Sequence, residues 1–199
     1  MSLSSSTNIN DFIDTHVVSC PNICSFKDND IENIKKHFPP STIFRAFDPK
    51  IRPDAKSETW IGFPEFPFKY LKLSFPFPPL IEEFFRTTQL SYGQAMPMLW
   101  RVLSVIDDLV KRKIDFNLAD LKLCYTLQSF GPGYFVLKAK TKENRLFKDV
   151  THNDVPWKGR FFFVLRKSLP QGSFLPPCWI SKGRNNIYFY VKYSVICIY

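Results

Sequence analysis

The sequence predicts an α+β fold, with helices packed on a small antiparallel sheet, a flexible N-terminal arm and an atypical C-terminal tail. Three observations predict it. Apolar residues recur at helical spacing between residues 79 and 130, the period switches to two after Gly131-Pro132-Gly133, and a second strand-like run closes the block at Arg160 to Leu165. The 199-residue chain then reads as an arm over 1–27, one α+β domain over 28–180 and a tail over 181–199.

Residues 1–27 are polar and Ser/Asn-rich without sustained periodicity, hence the arm. Asp28 or Asp30 can cap a short helix over Ile31 to His37, with Ile31, Ile34 and Phe38 on one side and Lys35 and Lys36 near its end. Pro39 and Pro40 stop it. From Ser41 to Pro79 prolines recur among aromatics, which predicts extended segments and turns without helices, and a short strand at Phe68 to Leu73. This stretch, Phe63 to Phe77 above all, reads as an exposed aromatic surface.

Pro78 and Pro79 fit the first turn of a helix carrying Leu80, Ile81, Phe84 and Phe85, with Glu82 and Glu83 near its positive end. After Pro97, the residues Leu99, Leu103, Ile106 and Val110 fall at i, i+4, i+7 and i+11, and Trp100, Val102 and Leu109 widen the stripe. Lys111, Arg112 and Lys113 sit where the helix dipole prefers cations. A third helix starts at Asn117 and sets Leu118, Leu121 and Tyr125 on one face. Beyond the Gly-Pro-Gly breaker, Phe135, Leu137 and Ala139 point one way and Lys138, Lys140 and Lys142 the other. Partner strands are expected at Arg145 to Val150 and Arg160 to Leu165, so the sheet is built mainly from residues 134–165.

Composition narrows the function classes. The chain is 45% hydrophobic with 21 Phe and 16 Pro, which a disordered linker does not carry, and its 7 glycines include no phosphate-cradling loop. Its net charge of +9 is uneven: residues 1–110 hold 11 Lys+Arg against 13 Asp+Glu, whereas residues 111–199 hold 16 against 5. A half at +11 attracts polyanions, though lysines also keep an aromatic-rich surface soluble. Five scattered cysteines do not form a secreted disulfide framework, so an intracellular setting is expected, with nucleus and cytoplasm left open. No run reaches the roughly 18 apolar residues of a membrane span.

Catalytic signals are weak. Asp107-Asp108 lie within a helical pattern, where adjacent side chains diverge by about 100° and serve one metal ion poorly. Asp14-Thr15-His16 lacks the glycine of an aspartic protease, and three histidines (His16, His37, His152) have no nucleophile motif beside them. Cys20, Cys24 and His37 have the spacing of three zinc-finger ligands, but Ser41, Thr42 and Ile43 stand where the fourth should be. The run Lys158 to Val164 resembles an RNA-recognition strand only until Arg160 and Phe161 replace its stacking and small residues. A central strand buried by Phe161 and Phe163 on one side and Phe162 on the other is the better reading.

The order of the motifs FPFPPL, Leu90 to Gln94 leading into Pro97 and Trp100, GPGYF and WKGRFFFV resembles the plant gypsy-type transposon domain over about residues 30–180. Met98 departs from that family's usual polar residue, and the tail from Ile187 departs from its pattern, as a truncated or mis-spliced end would. The resemblance implies a transposable-element protein without catalytic or cofactor residues, in a gag-like or DNA-associated role. Apart from the resemblance, the period-two lysines and the +11 half point to DNA or RNA as partners, bound through Lys138, Lys140, Lys142, Arg145, Lys148, Lys158 and Arg160. Self-association as an assembly module is the alternative.

Overall fold

The computed structural model describes residues 26–45, 59–130, 133–145, 157 and 159–176. Within them the chain is α+β: helices α1 (Asp28–Lys35), α2 (Phe66–Lys69), α3 (Pro79–Thr88), α4 (Pro97–Lys111) and α5 (Leu118–Cys124), and strands β1 (Phe44–Arg45), β2 (Trp60–Pro64), β3 (Tyr125–Ser129), β4 (Phe135–Ala139) and β5 (Phe161–Leu165). The strands form two separate antiparallel units. One is a three-stranded sheet of order β1-β5-β2, the other a β3-β4 hairpin. The single sheet expected over 134–165 is therefore corrected, because β5 pairs with residues 97 to 120 positions upstream. Phe44 faces Val164, and Phe63 faces Phe162.

α1 buries Ile31 and Ile34, with Phe38 just beyond it, as the spacing predicts. Its first turn is closed by the Lys27 amide, which donates to Asp30 Oδ2 at 2.9 Å. The arm reading fails at its last residues: Phe26 is buried, with its ring stacked on Phe162 at 5.4 Å. The proline-rich stretch is corrected more strongly. Phe68 to Leu73 is no strand: Pro67 fits the first turn of α2, Lys72 takes a positive φ of 55°, and the Leu73 amide donates to Pro67 O. The strand in this region is β2, and Phe63, Phe66, Phe68, Phe75 and Phe77 are all interior. Rings packed at about 5 to 6 Å, edge-on or stacked, replace the expected aromatic surface.

α3 and α4 both begin on proline at their first turn, where the missing amide costs nothing. α3 ends on Gln89 in the left-handed region at φ 56°, with its amide donating to Phe85 O. α4 buries Leu99, Trp100, Val102, Leu103 and Ile106, while Val110 at its end is exposed. Asp107 is buried and paired with Lys111 at 2.6 Å; Asp108 is exposed and paired with Arg112 at 2.8 Å. The two carboxylates thus serve separate i,i+4 ion pairs. Asn117 caps α5, its Oδ1 accepting from the Ala119 and Asp120 amides. Tyr125 is buried, but as the first residue of β3 rather than on a helix face.

Candidate nucleic-acid interface

The hairpin pairs Tyr125 with Ala139, Thr126 with Lys138, Leu127 with Leu137, Gln128 with Val136 and Ser129 with Phe135. Directly opposed residues share a face, so Phe135, Leu137 and Tyr125 form the inner side against the core and α4. The outer side carries Lys138, Thr126 and Gln128, all exposed. Two contacts fix this orientation: the Met96 amide donates to Phe135 O at 3.0 Å, and Gln94, fully buried, donates Nε2 to Gly133 O at 3.0 Å. The hairpin is anchored at its turn and along one face, leaving the other to solvent.

The predicted lysine face is only partly a strand face. β4 stops at Ala139; the Lys140 amide donates to Cys124 O at 2.9 Å, and the chain then bends. Lys140, Lys142 and Arg145 are exposed on this bend, which closes where the Arg145 amide donates to Lys142 O at 3.3 Å. Glu143 sits between them. Its own backbone amide and the Thr141 hydroxyl hold its carboxyl below the ordinary glutamate value, so it remains a local negative charge. The remainder is an exposed cationic edge running from the outer face of β4 into the bend.

The other predicted contacts fare differently. Lys148, Lys158 and the strand expected over Arg145 to Val150 lie outside the described residues beyond Arg145. Arg160 does not belong to the basic edge. It precedes β5 in the other sheet, where Nε and an Nη donate to the two Glu65 oxygens at 2.8 and 2.7 Å and Asp30 lies at 3.0 Å. Its guanidinium also stands over the Phe26 ring at 5.1 Å. The fork is raised further above its already high pKa by the Glu65 hydrogen bonds, so it is a fixed structural cation. Asp30 is desolvated there, yet hydrogen bonds from Arg160 and the Lys27 amide outweigh that burial and lower its pKa.

His37, one of the three residues with zinc-finger spacing, is buried beside Phe68, and burial lowers its pKa. Cys20 and Cys24 lie outside the described residues, among which no group of His, Cys, Asp and Glu is arranged to hold a metal ion. Among the same residues no helix is long and apolar enough to cross a membrane.

Sequence reasoning missed Thr126 and Gln128, because Tyr125 was assigned to a helix. The signal was present: Tyr125 and Leu127 alternate with Thr126 and Gln128 at period two. A second polar cluster also went unread. Glu82 and Arg86 of α3, Tyr92 and Arg166 gather around Phe174 and Pro176: the Tyr92 hydroxyl donates to Phe174 O at 2.7 Å, and an Arg166 Nη donates to Pro176 O at 3.0 Å. Arg86 stands over the Phe174 ring at 5.0 Å. Burial raises the Glu82 pKa, with the Phe174 amide and Arg86 opposing it in part; burial and the Glu82 charge raise the Tyr92 pKa far above its usual value.

Compared with known proteins, the chain matches no family model, no curated protein and no solved structure.

Proposed function

We propose that this chain is a non-catalytic, transposable-element-derived domain that binds DNA or RNA weakly and without sequence preference through its basic hairpin edge. One observation carries the binding: Lys138, Lys140, Lys142 and Arg145 are exposed along the outer face and bend of an element whose inner face is anchored in the core. Glu143 is the sole acid in that stretch. Long flexible cations on a fixed ribbon neutralise phosphates, and Thr126 and Gln128 beside them add neutral hydrogen-bonding groups of the kind that contact the sugar-phosphate backbone. The origin rests on the order of motifs from FPFPPL to WKGRFFFV.

The rival reading, an assembly module, drew on the aromatic stretch from Phe63 to Phe77, whose phenylalanines are interior while Tyr70 is exposed, and on the apolar tail, which lies outside the described residues. The test of binding is a low-salt titration with mixed-sequence single strands and duplexes. Comparable affinity for each is expected, with a logarithmic salt slope of about −3 from roughly three to four phosphate contacts. Lys138→Glu with Lys140→Glu and Lys142→Glu removes the binding; an unchanged titration refutes the proposal. Reverse transcriptase or integrase remnants next to the coding sequence are expected from the proposed origin.

A further inference from the structure

Residues 173–176 lie as a short strap against α3, Tyr92 and Arg166. It leaves the domain through the turn Pro170-Gln171-Gly172-Ser173, in which the Ser173 amide donates to Pro170 O at 3.3 Å. Gly172 takes φ 83°, and a Cβ placed on it meets nothing within 4 Å. The strap then rests on Glu82, Arg86, Tyr92 and Arg166. Their polar contacts are to its main chain: Tyr92 to Phe174 O, Arg166 to Pro176 O, and the Glu82 carboxylate beside the Phe174 amide. Tyr92 itself is immovable, fully buried against Phe63 at 4.9 Å, Phe85 at 4.8 Å and Phe77 at 5.1 Å.

This is a rigid cradle gripping an extended segment by its backbone. The grip is incomplete: Glu82 Oε1 and Arg166 Nε are buried without hydrogen-bond partners, and Ser173, Phe174 and Leu175 are only half-buried. Lifting the strap returns both idle polar atoms to water, which makes it cheap to release. An exposed turn joins it to the domain, and such a turn can extend. We propose that the cradle accepts Ser173–Pro176 of a second copy of this chain, so that two molecules exchange these straps into a closed two-fold dimer. A reciprocal exchange remakes every contact that the closed monomer has, so the equilibrium is set by the turn and by concentration.

The turn supplies the test. In Gly172→Val the new side chain has room, so no clash disturbs the domain, but a β-branched residue is strained at φ 83° and relaxed in an extended hinge. Both hinges of the dimer gain, and sedimentation equilibrium of the full chain is expected to show association tighter by about tenfold to a hundredfold than in the unsubstituted chain. Adding Tyr92→Phe, which removes the hydroxyl that holds Phe174 O from the closed monomer and the exchanged dimer alike, is expected to leave that association unchanged. A Gly172→Val chain as monomeric as the parent overturns the proposal. So does a dimer that Tyr92→Phe weakens, which would mark a contact made only between copies rather than one remade from the closed monomer. If Gly172→Val folds poorly, deleting Gln171 and Gly172 shortens the turn and carries the same two outcomes.

Discussion

β5 and β4 are antiparallel strands of five residues each, yet they meet water in opposite ways. In β5 the run Phe161-Phe162-Phe163-Val164 is buried on both faces, and the cation that precedes it, Arg160, is spent on Glu65 and Asp30. In β4 the residues alternate, one face is packed and the other carries Lys138. A strand that is apolar throughout has no surface left for recognition, whereas an alternating one is held by half its side chains and frees the rest. The contrast is the reason the proposed binding is assigned to the hairpin, with stability resting on the three-stranded sheet.

Breaking the sheet should therefore have the largest effect. Phe162 is fully buried, ringed by Phe26, Phe38, Phe44, Phe63 and Phe68 at 5.4 to 5.9 Å. Phe162→Ala is expected to cost about 3–5 kcal/mol in a denaturant melt, a large share of the roughly 5–15 kcal/mol that holds a domain folded. Arg160→Ala comes next, at about 2–3 kcal/mol, because it leaves the Glu65 carboxylate, 3% exposed, with only the half-exposed Lys69 ammonium at 3.2 Å as a charged partner. Adding Glu65→Leu should recover part of the loss, whereas strictly additive losses would mean that the ion pair is not what couples the two positions.

The same contrast predicts little from the hairpin. Lys138→Glu, Lys140→Glu and Lys142→Glu should each change folding stability by no more than about 0.5 kcal/mol, since all three are exposed, while the three together abolish the proposed nucleic-acid binding. A collapse of stability comparable to that of Phe162→Ala would show that the outer face is structural and would erase the distinction between the two strands.

The sequence made these regions unequally legible. α4 was readable from its stripe because local periodicity alone decides which face is inward, and α5 was readable from Asn117 because capping is a contact between near neighbours. The α+β class followed from the change of period. β2 was hidden, since prolines at 64 and 67 read as breakers, and the register that seats Phe63 against Phe162 spans about a hundred residues. The fate of Arg160 was hidden for the same reason: its partners lie far upstream, and no spacing rule announces them. The lysine positions were legible as a pattern, but not the bend after Ala139 that carries Lys140, Lys142 and Arg145 off the strand.

Carboxylates extend the contrast between spent and unspent groups, with the smallest expected effect. Glu65 is matched by a guanidinium fork, but Glu82 has one buried oxygen without a partner and only the Phe174 amide and Arg86 to offset its burial. Its pKa in the folded chain is raised, so the folded state holds that proton more tightly than the unfolded state does. Stability contributed by the protonated form is then fully present below the ordinary glutamate value of 4.5, and is lost as pH rises through the higher folded value. Glu82→Gln keeps the shape and removes the charge. Thermal melts over a pH series should show parent and variant differing least in acid, with the parent falling behind as pH climbs above about 4.5 and the gap levelling off once Glu82 is ionised in both states. A gap that widens toward acid would mean that Glu82 is stabilised as a carboxylate, so that the Phe174 amide and Arg86 outweigh its burial.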